Sequence, residues 1–205
     1  PERIEGGILG SVVPALTGRV LGALRMFCSA RFLTVGPGLK SGIKLRLDNP
    51  AQLGAELLCG AVAALEEGPG PLAVISADTA ISIMAVNGKQ ELVGGVILPG
   101  PQLSLSALVK NTAQLPQIDL AAKAPASILG KSTSSCLQNG FVLGTASLLD
   151  GLAERFCAEL GPQTAFYATG NLPIPIREAC CTPILYRETL ITDGLYRIWM
   201  KNKKG

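Results

Sequence analysis

The sequence predicts a mixed α/β fold, and three observations lead to it. Short apolar runs of strand length alternate with longer segments whose apolar residues recur at helical spacing. The dipeptide Asn87-Gly88, a strong hairpin signal, lies between two of the apolar runs. A run of glycine and proline over residues 68–71 divides the chain. Strands joined partly by hairpins and partly by helices are typical of a layered α/β protein.

The first 68 residues are predicted to form two strands and two helices. Pro14 closes the first apolar run, and Asn49, followed by Pro50, is the expected N-cap of the second helix. The predicted elements are a strand over 7–13, a helix over 16–28, a strand over 32–35, a glycine-rich loop over 36–42 and a helix that ends near residue 67. The break over 68–71 predicts a boundary between a domain of residues 1–68 and a domain of residues 69–205.

The second part of the chain is predicted to be richer in strands. Strands are expected over 72–75, 80–86, 91–93 and 164–168. Helices are expected over 103–113, from 132 to about 160, and from about 193 to the lysine-rich end. The long middle helix should bend or break near one of its glycines, Gly140, Gly144 or Gly151, because glycine is a poor helix former.

The composition narrows the classes of function. Of the 205 residues, 48% are apolar and 16% are charged, which is enough to bury a core. The net charge of +3 is scattered, and the one basic cluster is a short C-terminal tail, so nucleic acid is not an expected partner. The sequence has no apolar run of membrane-spanning length and does not begin with a secretory signal, so we expect a soluble, cytoplasmic protein without a membrane partner.

The chain has six cysteines and no histidine. The usual zinc sites and the Ser-His and Cys-His catalytic pairs are therefore excluded. Most of the cysteines lie on apolar stretches, which fits buried free thiols in a reducing compartment. Acid–base chemistry has to come from carboxylates, Lys, Tyr or Cys.

Seven short motifs follow one another along the chain. They are SVVP at 11–14, GPGLKSG at 36–42, DNP at 48–50 with GAE at 54–56, GGVILPG at 94–100, GKST at 130–133, ATG at 168–170 and TDGL at 192–195. In order and approximate spacing they resemble the motifs of the type III pantothenate kinases, the enzymes that open coenzyme A synthesis with ATP as phosphoryl donor. The resemblance extends over nearly the whole chain.

This resemblance implies the actin-like, ribonuclease-H-like fold of the acetate and sugar kinase type. In that fold two related domains hold ATP in the cleft between them. Members of the family usually open with a strand and a glycine-containing phosphate loop, whereas Pro1 lies just upstream of what would be about the third strand. We therefore expect an incomplete first domain, either because the chain is a fragment or because it lacks half of the nucleotide clamp.

The resemblance places the acceptor site at Gly54-Ala55-Glu56-Leu57, where the family carries Gly-Ala-Asp-Arg. The family's Asp is the base toward the pantothenate hydroxyl, so Glu56 is the catalytic candidate, although the local pattern alone also allows a solvated carboxylate on a helix. Gly54, Ala55 and Leu57 are substrate-binding candidates, but Leu57 has lost the charge of the family's Arg. Leu47 replaces a family Tyr that packs on the substrate.

The nucleotide site is implied by the segment Ser76-Ala77-Asp78-Thr79, which corresponds to the family's Asp-Phe-Gly-Thr. Thr79 keeps the nucleotide contact, while Ser76 stands at the metal position, where the family's Asp binds a monovalent cation, K⁺ or NH₄⁺. Asp78 places a negative charge where a polyphosphate should lie, which is unfavourable unless a divalent ion intervenes. The further nucleotide-binding candidates are Gly94, Gly95, Pro99, Gly100 and Gly170.

The resemblance also implies partners and cofactors. Thr133 matches a family Thr that reaches pantothenate from the neighbouring subunit, so a homodimer is expected; the local pattern alone makes it an ordinary residue of a helix's first turn. Pantothenate and ATP are the expected substrates, with Mg²⁺ and, less readily, a monovalent cation as cofactors.

Three hypotheses about function remain after this comparison of motifs. The chain is a type III pantothenate kinase of impaired activity, a catalytically inactive relative that acts as a dimeric binding or regulatory protein, or a fragment of an ordinary kinase. Under the first hypothesis, Glu56→Asp together with Leu57→Arg is expected to raise the activity.

Overall fold

The computed structural model describes residues 4–122 and 124–203. The helices within these ranges are α1 (Pro14–Phe27), α2 (Ala55–Glu67), α3 (Pro101–Lys110), α4 (Thr133–Leu160), α5 (Ile174–Ala179) and α6 (Leu190–Asn202). The strands are β1 (Gly6–Leu9), β2 (Arg31–Thr34), β3 (Lys44–Leu45), β4 (Leu72–Ala77), β5 (Ala80–Val86), β6 (Glu91–Pro99), β7 (Ala165–Gly170) and β8 (Ile184–Tyr186). A 3-10 turn over Pro50–Gln52 precedes α2. This alternation of elements confirms the predicted mixed α/β fold.

The larger of the two sheets that the described strands form has the order β3-β6-β5-β4-β7-β8. Strands β4, β5 and β6 are antiparallel neighbours, whereas β7 runs parallel to β4, and β8 parallel to β7. At the β5–β6 turn, the backbone N–H of Asn87 donates to the carbonyl of Glu91, and its side-chain oxygen accepts from the N–H of Lys89. The hairpin predicted at Asn87-Gly88 is therefore confirmed.

Two apolar layers lie on opposite faces of this sheet, because neighbouring residues of a strand point to opposite sides. Along β4, Leu72 and Val74 belong to the layer that contains the buried residues of α2 and α6. Ala73 and Ile75 belong to the other layer, together with the buried residues of α4. The parallel strands β4 and β7 thus lie between two packed layers.

A smaller sheet holds the beginning of the described chain. Strands β1 and β2 pair in parallel and form a two-stranded sheet of their own. A Cβ atom at Gly6 would collide with the Trp199 ring of α6, so this glycine allows β1 to lie against α6. Helix α1, which joins the two strands, has no buried residue among those described, and Met26 and Phe27 are 88% and 86% exposed.

Three predictions for the first part of the chain are corrected. Strand β1 ends at Leu9 rather than at residue 13, and α1 begins directly at Pro14. Asn49 caps the 3-10 turn, where its side chain accepts from the N–H of Ala51, and Gly54 is the N-cap of α2. The strand β3 was not predicted, because two residues carry no periodicity.

The second part of the chain also departs from the prediction. Strand β6 continues to Pro99, so Gly94 and Gly95 lie inside a strand. Helix α4 runs unbroken from Thr133 to Leu160, so the prediction of a break was wrong. Gly140, Gly144 and Gly151 lie within this helix, whose apolar residues pack on the sheet. Helix α6 begins at residue 190 rather than near 193, β7 covers 165–170, and the short elements α5 and β8 were not predicted.

The division into domains of residues 1–68 and 69–205 remains a prediction. Residues before the proposed boundary take part in the larger sheet, since β3 pairs in parallel with β6. Helix α2 packs on the same face of that sheet as α6. None of the helices in the described part of the chain is both long and apolar enough to cross a lipid bilayer.

Candidate active site

A cleft of about 710 Å³ lies at the N-terminus of α2. It is lined by the glycine-rich loop after β2, by the 3-10 turn with Asn49, and by Gly54 and Ala55. We call it the α2 cleft. Its polar side chains are uncharged: Ser11, Ser41, Asn49 and Gln52. A ligand in the α2 cleft would therefore be recognised through hydroxyl, amide and backbone groups.

The N-terminus of α2 borders this cleft, because its N-cap Gly54 and its first residue Ala55 line it. Gly54 provides no side-chain hydrogen bond to the first amide groups of the helix. Its carbonyl accepts from the N–H groups of Leu57 and Leu58, which closes the first turn. The first amides of α2, together with the positive end of the helix dipole, therefore favour an anionic or strongly polar ligand group.

The five acceptor-site candidates do not all reach the α2 cleft. Gly54 and Ala55 line it. Glu56 is exposed in the first turn of α2, whereas Leu57 is buried in the core layer between α2 and the sheet. Leu47 is half-buried and packs against the same layer. A helix turns by about 100° per residue, so successive residues of α2 face the cleft, the solvent and the core in turn.

A second cluster of candidates lies where β4 and β7 end. Ala77 and Gly170 are partners in the parallel β4–β7 ladder, and the N–H of Asn171 donates to the Ala77 carbonyl at 2.5 Å. Gly170 has φ +86°, and a Cβ atom there would collide with the Ala77 carbonyl oxygen. Only glycine fits this position, so Gly170 of the motif Ala168-Thr169-Gly170 is required for the close approach of the two strands.

Thr79 and Gly100 lie at the same end of the sheet as Ala77 and Gly170, and we call this region the strand-end site. Thr79 is exposed on the bend between β4 and β5, and its carbonyl accepts from the Gly100 N–H at 2.9 Å. A Cβ atom at Gly100 would collide with the Asp78 carbonyl oxygen. Pro99 precedes this crossing and pairs with Ala80 of β5. The structure therefore brings Thr79, Pro99, Gly100 and Gly170 to one end of the sheet.

Gly94 and Gly95 are not brought to the strand-end site. Gly95 pairs with Met84, four ladder positions from the Ala80–Pro99 pair, which corresponds to roughly 13 Å along the strand. The β5–β6 ladder shifts register at this place, and Gly94 has φ +140°. Irregularity of the strand is sufficient to explain both glycines.

Ser76 lies in a row of three buried hydroxyl residues. It pairs with Ser82 of β5 and with Thr169 of β7, and their exposed fractions are 8%, 9% and 1%. The row contains no carboxylate, and the described residues include no group of three His, Cys, Asp or Glu side chains that could hold a metal ion. Hydroxyl and carbonyl oxygens would be the ligands of a cation here, with less charge than the family's Asp supplies.

Two residues of the strand-end site could not be found from the sequence. The Tyr186 hydroxyl donates to the Gly170 carbonyl at 2.7 Å, and the Arg177 guanidinium lies 3.9 Å from the centre of the Tyr186 ring. The Nε atom of Arg177 is buried without a hydrogen-bond partner. No motif contains these residues, because they come from the unpredicted elements α5 and β8.

Thr133 is the first residue of α4 and is exposed. Ser132 and Ser135 form a capping box around it, so the local geometry belongs to the helix end. Thr133 is absent from the lining of the α2 cleft.

The cysteines are free thiols, but the prediction that most of them are buried was wrong. Among the six, which all lie in the described ranges, Cys59 is buried, Cys136 and Cys181 are exposed, and the other three are half-buried. Burial in α2 raises the pKa of Cys59 to about 12. Burial, followed by the nearby Asp150 carboxylate and Cys181, raises the pKa of Cys180 to about 11. Both thiols are therefore protonated and unreactive at neutral pH.

Comparisons with known proteins agree with this architecture. The family model described as type III pantothenate kinase matches residues 1–155. The chain is 36% identical to a type III pantothenate kinase of Koribacter versatilis over 203 residues, which is 98% of this chain and 73% of that protein. It is 35% identical to a type III pantothenate kinase of Exiguobacterium sibiricum over 202 residues, which is 98% of this chain and 79% of that protein.

A solved structure resembles the fold as a whole. It is a conserved protein of Campylobacter jejuni, described as a Baf family transcriptional activator, with a TM-score of 0.60 and 18% sequence identity. The match covers 100% of this chain and 86% of the other. The fold is thus the predicted actin-like α/β type. From its motifs, its fold and its relatives, the chain belongs to the type III pantothenate kinase family.

Proposed function

We propose that this chain phosphorylates pantothenate with ATP in coenzyme A synthesis, at a rate below that of a kinase with the full set of family residues. Membership of the family supports the reaction. The observation that carries the proposal is the α2 cleft, whose mainly apolar and glycine lining includes four uncharged polar side chains and is bounded by the family's Gly-Ala pair, Gly54 and Ala55. Pantothenate carries hydroxyl, amide and carboxylate groups, which suit such a lining and the N-terminus of α2.

Glu56 is the proposed base. In the reaction the primary hydroxyl of pantothenate attacks the γ-phosphorus of ATP, the bond to the bridging oxygen breaks, and ADP leaves. The hydroxyl proton passes to the Glu56 carboxylate. Glu56 follows Ala55 at the rim of the cleft and is exposed, so its carboxylate is free to turn toward a bound acceptor. The extra methylene relative to Asp displaces the carboxylate, which accounts for the reduced rate.

The proposed nucleotide site is the strand-end site with Thr79, Pro99, Gly100 and Gly170. Its glycines allow the ends of neighbouring chain segments to converge at this end of the sheet. Mg²⁺ when bound neutralises phosphate charge, and the exposed Asp78 carboxylate next to Thr79 suits an ion that keeps most of its waters. The hydroxyl row at Ser76 fits a monovalent cation poorly, so we propose a weakened response to K⁺ or NH₄⁺.

The proposal also includes that the protein is a homodimer and lies in the cytoplasm. Thr133 lies outside the lining of its own α2 cleft, which favours a contact supplied by a second subunit. Free thiols suit a reducing compartment, in which ATP and pantothenate are also found.

A second candidate function is an inactive, dimeric binding or regulatory protein. It is favoured by the burial of Leu57 in the core, because this side chain cannot replace the family's Arg at the substrate. A protein of this kind would retain the fold and the cleft and bind a metabolite without turnover.

The test is ATP-dependent phosphorylation of pantothenate by the purified chain, with Mg²⁺ and K⁺ present. Glu56→Ala is the principal variant, and Glu66→Ala is its control, since Glu66 is an exposed carboxylate near the other end of the same helix. Turnover that falls at least 100-fold in Glu56→Ala and stays unchanged in Glu66→Ala supports the kinase. A folded wild-type chain that binds pantothenate but shows no turnover favours the second candidate.

A further inference from the structure

The glycine-rich loop that lines the α2 cleft is hydrogen-bonded to a residue far away in the sequence. Residues 36–39 and 41 line the cleft, and the loop contains two glycines with positive φ, Gly38 and Gly42. Within the loop, the Leu39 N–H donates to the Gly36 carbonyl at 3.3 Å. At its end, the Ser41 side chain exchanges hydrogen bonds with the backbone of Ile43. These local bonds shape the loop but do not fix its position over the cleft.

Asn202, at the end of α6, supplies the long-range attachment. The Lys40 N–H donates to Asn202 Oδ1 at 3.1 Å, and Asn202 Nδ2 donates to the Lys40 carbonyl at 2.9 Å. The same Nδ2 donates to the Ile198 carbonyl at 2.8 Å, which holds the amide against its own helix. One side chain thus satisfies both backbone groups of Lys40, as a neighbouring strand would.

The helix that carries Asn202 is itself fixed to the core. Leu190 and Ile198 of α6 are each 1% exposed and lie in the layer shared with α2. Lys201 lies across Gly42, since a Cβ atom at Gly42 would collide with its ammonium group. One wall of the cleft is the 36–42 loop, and another is formed by Gly54 and Ala55. The packed helices α2 and α6 therefore hold both walls in position.

We propose that Asn202 is a positioning residue for the α2 cleft, and that its two bonds to Lys40 hold the 36–42 loop where it contacts the acceptor substrate. The part of this inference that concerns pantothenate rests on the proposed function. Asn202 touches neither reacting group nor nucleotide site, so it acts through the loop alone. Its loss should weaken acceptor binding and leave ATP binding and the chemical step unchanged.

The test variant is Asn202→Asp, which keeps an acceptor for the Lys40 N–H and loses the Nδ2 donor. The control is Asn111→Asp. Asn111 ends α3, and its Nδ2 donates to the Ala107 carbonyl four residues earlier at 2.7 Å, as Asn202 does to Ile198. The control removes the same helix-end bond without touching the loop. Hydrogen exchange of the 36–42 amides and steady-state kinetics are measured on both variants and the wild type.

The expected result for Asn202→Asp is faster exchange in the loop and a KM for pantothenate raised about fivefold, with kcat and the KM for ATP within twofold of wild type. Asn111→Asp should match the wild type in every readout. Unchanged loop exchange in Asn202→Asp overturns the inference, and so does faster exchange with an unchanged KM for pantothenate. A wild-type chain that neither binds nor phosphorylates pantothenate defeats the proposed function instead, and the exchange data then still decide whether Asn202 holds the loop.

Discussion

Glu56 and Leu57 are adjacent in the sequence, but α2 turns them into opposite environments. Glu56 is exposed and follows Ala55, which lines the cleft, while Leu57 is 8% exposed and packs in the core layer. The proposed base therefore remains accessible, whereas the position at which the resemblance places an arginine is part of the hydrophobic core. The sequence led us to expect that Leu57→Arg together with Glu56→Asp raises the activity. Because Leu57 is buried, we now expect Leu57→Arg to destabilise the fold instead.

We predict that Leu57→Arg destabilises the protein by about 3 kcal/mol, because it places an unpaired charge among apolar side chains. Urea unfolding followed by circular dichroism measures the change. Leu57→Met, which conserves the volume, is the control and should cost less than about 1.5 kcal/mol. An arginine variant as stable as wild type would show that the side chain can leave the core and reach the cleft.

Two short elements, α5 and β8, place side chains next to the strand-end site. Helix α5 supplies Arg177, which lies over the Tyr186 ring, and strand β8 supplies Tyr186, whose hydroxyl donates to the Gly170 carbonyl. Asp150, in the middle of α4, accepts from the N–H groups of Cys181 and Thr182 at 2.9 and 2.8 Å. This carboxylate ties the segment between α5 and β8 to the long helix that covers the sheet.

We predict a pH-dependent contribution of Asp150 to stability. Burial alone would raise the pKa of Asp150, but the two N–H donors reverse this and lower it below the ordinary value of 3.8. The carboxylate therefore stabilises the fold above pH 4, and this contribution disappears as the pH falls through the lowered pKa. Asp150→Asn should reduce the free energy of unfolding by about 1 kcal/mol at pH 7, a figure reduced for partial exposure.

Unfolding curves at pH 7 and pH 3 measure this difference. The gap between wild type and Asp150→Asn should narrow at pH 3. Asp119→Asn is the control, because the Asp119 side chain accepts from the N–H of Ala121, two residues away, and this bond is local. A gap that stays the same at both values of pH would mean that the ionised form of Asp150 is not what stabilises the segment.

At the scale of the whole molecule, elements with strong local signals could be predicted from the sequence. The hairpin at Asn87-Gly88 and the strands and helices with clear periodicity were confirmed. Strand β3 was missed because two residues gain their conformation only from pairing with β6. The break in α4 was predicted wrongly, because packing on the sheet outweighs the local cost of its glycines.

The residues of the site likewise divide into those that local motifs predicted and those that only the structure revealed. Motif positions with tight backbone contacts, Gly100 and Gly170, meet at one end of the sheet. The direction of a side chain is decided by the turn of a helix and by packing, so the burial of Leu57 and the distance of Gly94 from the strand-end site required the structure. Tyr186, Arg177 and Asn202 make contacts between different elements, and no local pattern marks them.

We predict that two inactive variants restore each other if the protein is a homodimer in which Thr133 acts across the interface. Glu56→Ala and Thr133→Ala are each expected to lower turnover. In mixed dimers one of the two clefts combines an intact Glu56 with an intact Thr133, so mixing after mild dissociation should recover up to about a quarter of the wild-type activity. Light scattering establishes the oligomeric state. A monomer, or a mixture no more active than its components, would contradict the role of Thr133.

The exposure of α1 bears on how the molecule unfolds. Its described side chains bury little, and the two strands that it joins pair only with each other, whereas β4, β5 and β7 lie between two packed layers. Opening of α1 exposes little additional apolar surface and breaks no hydrogen bond of the larger sheet. The protein should therefore contain at least two cooperative units, with α1 exchanging its amide protons through local opening while the central strands exchange only through global unfolding.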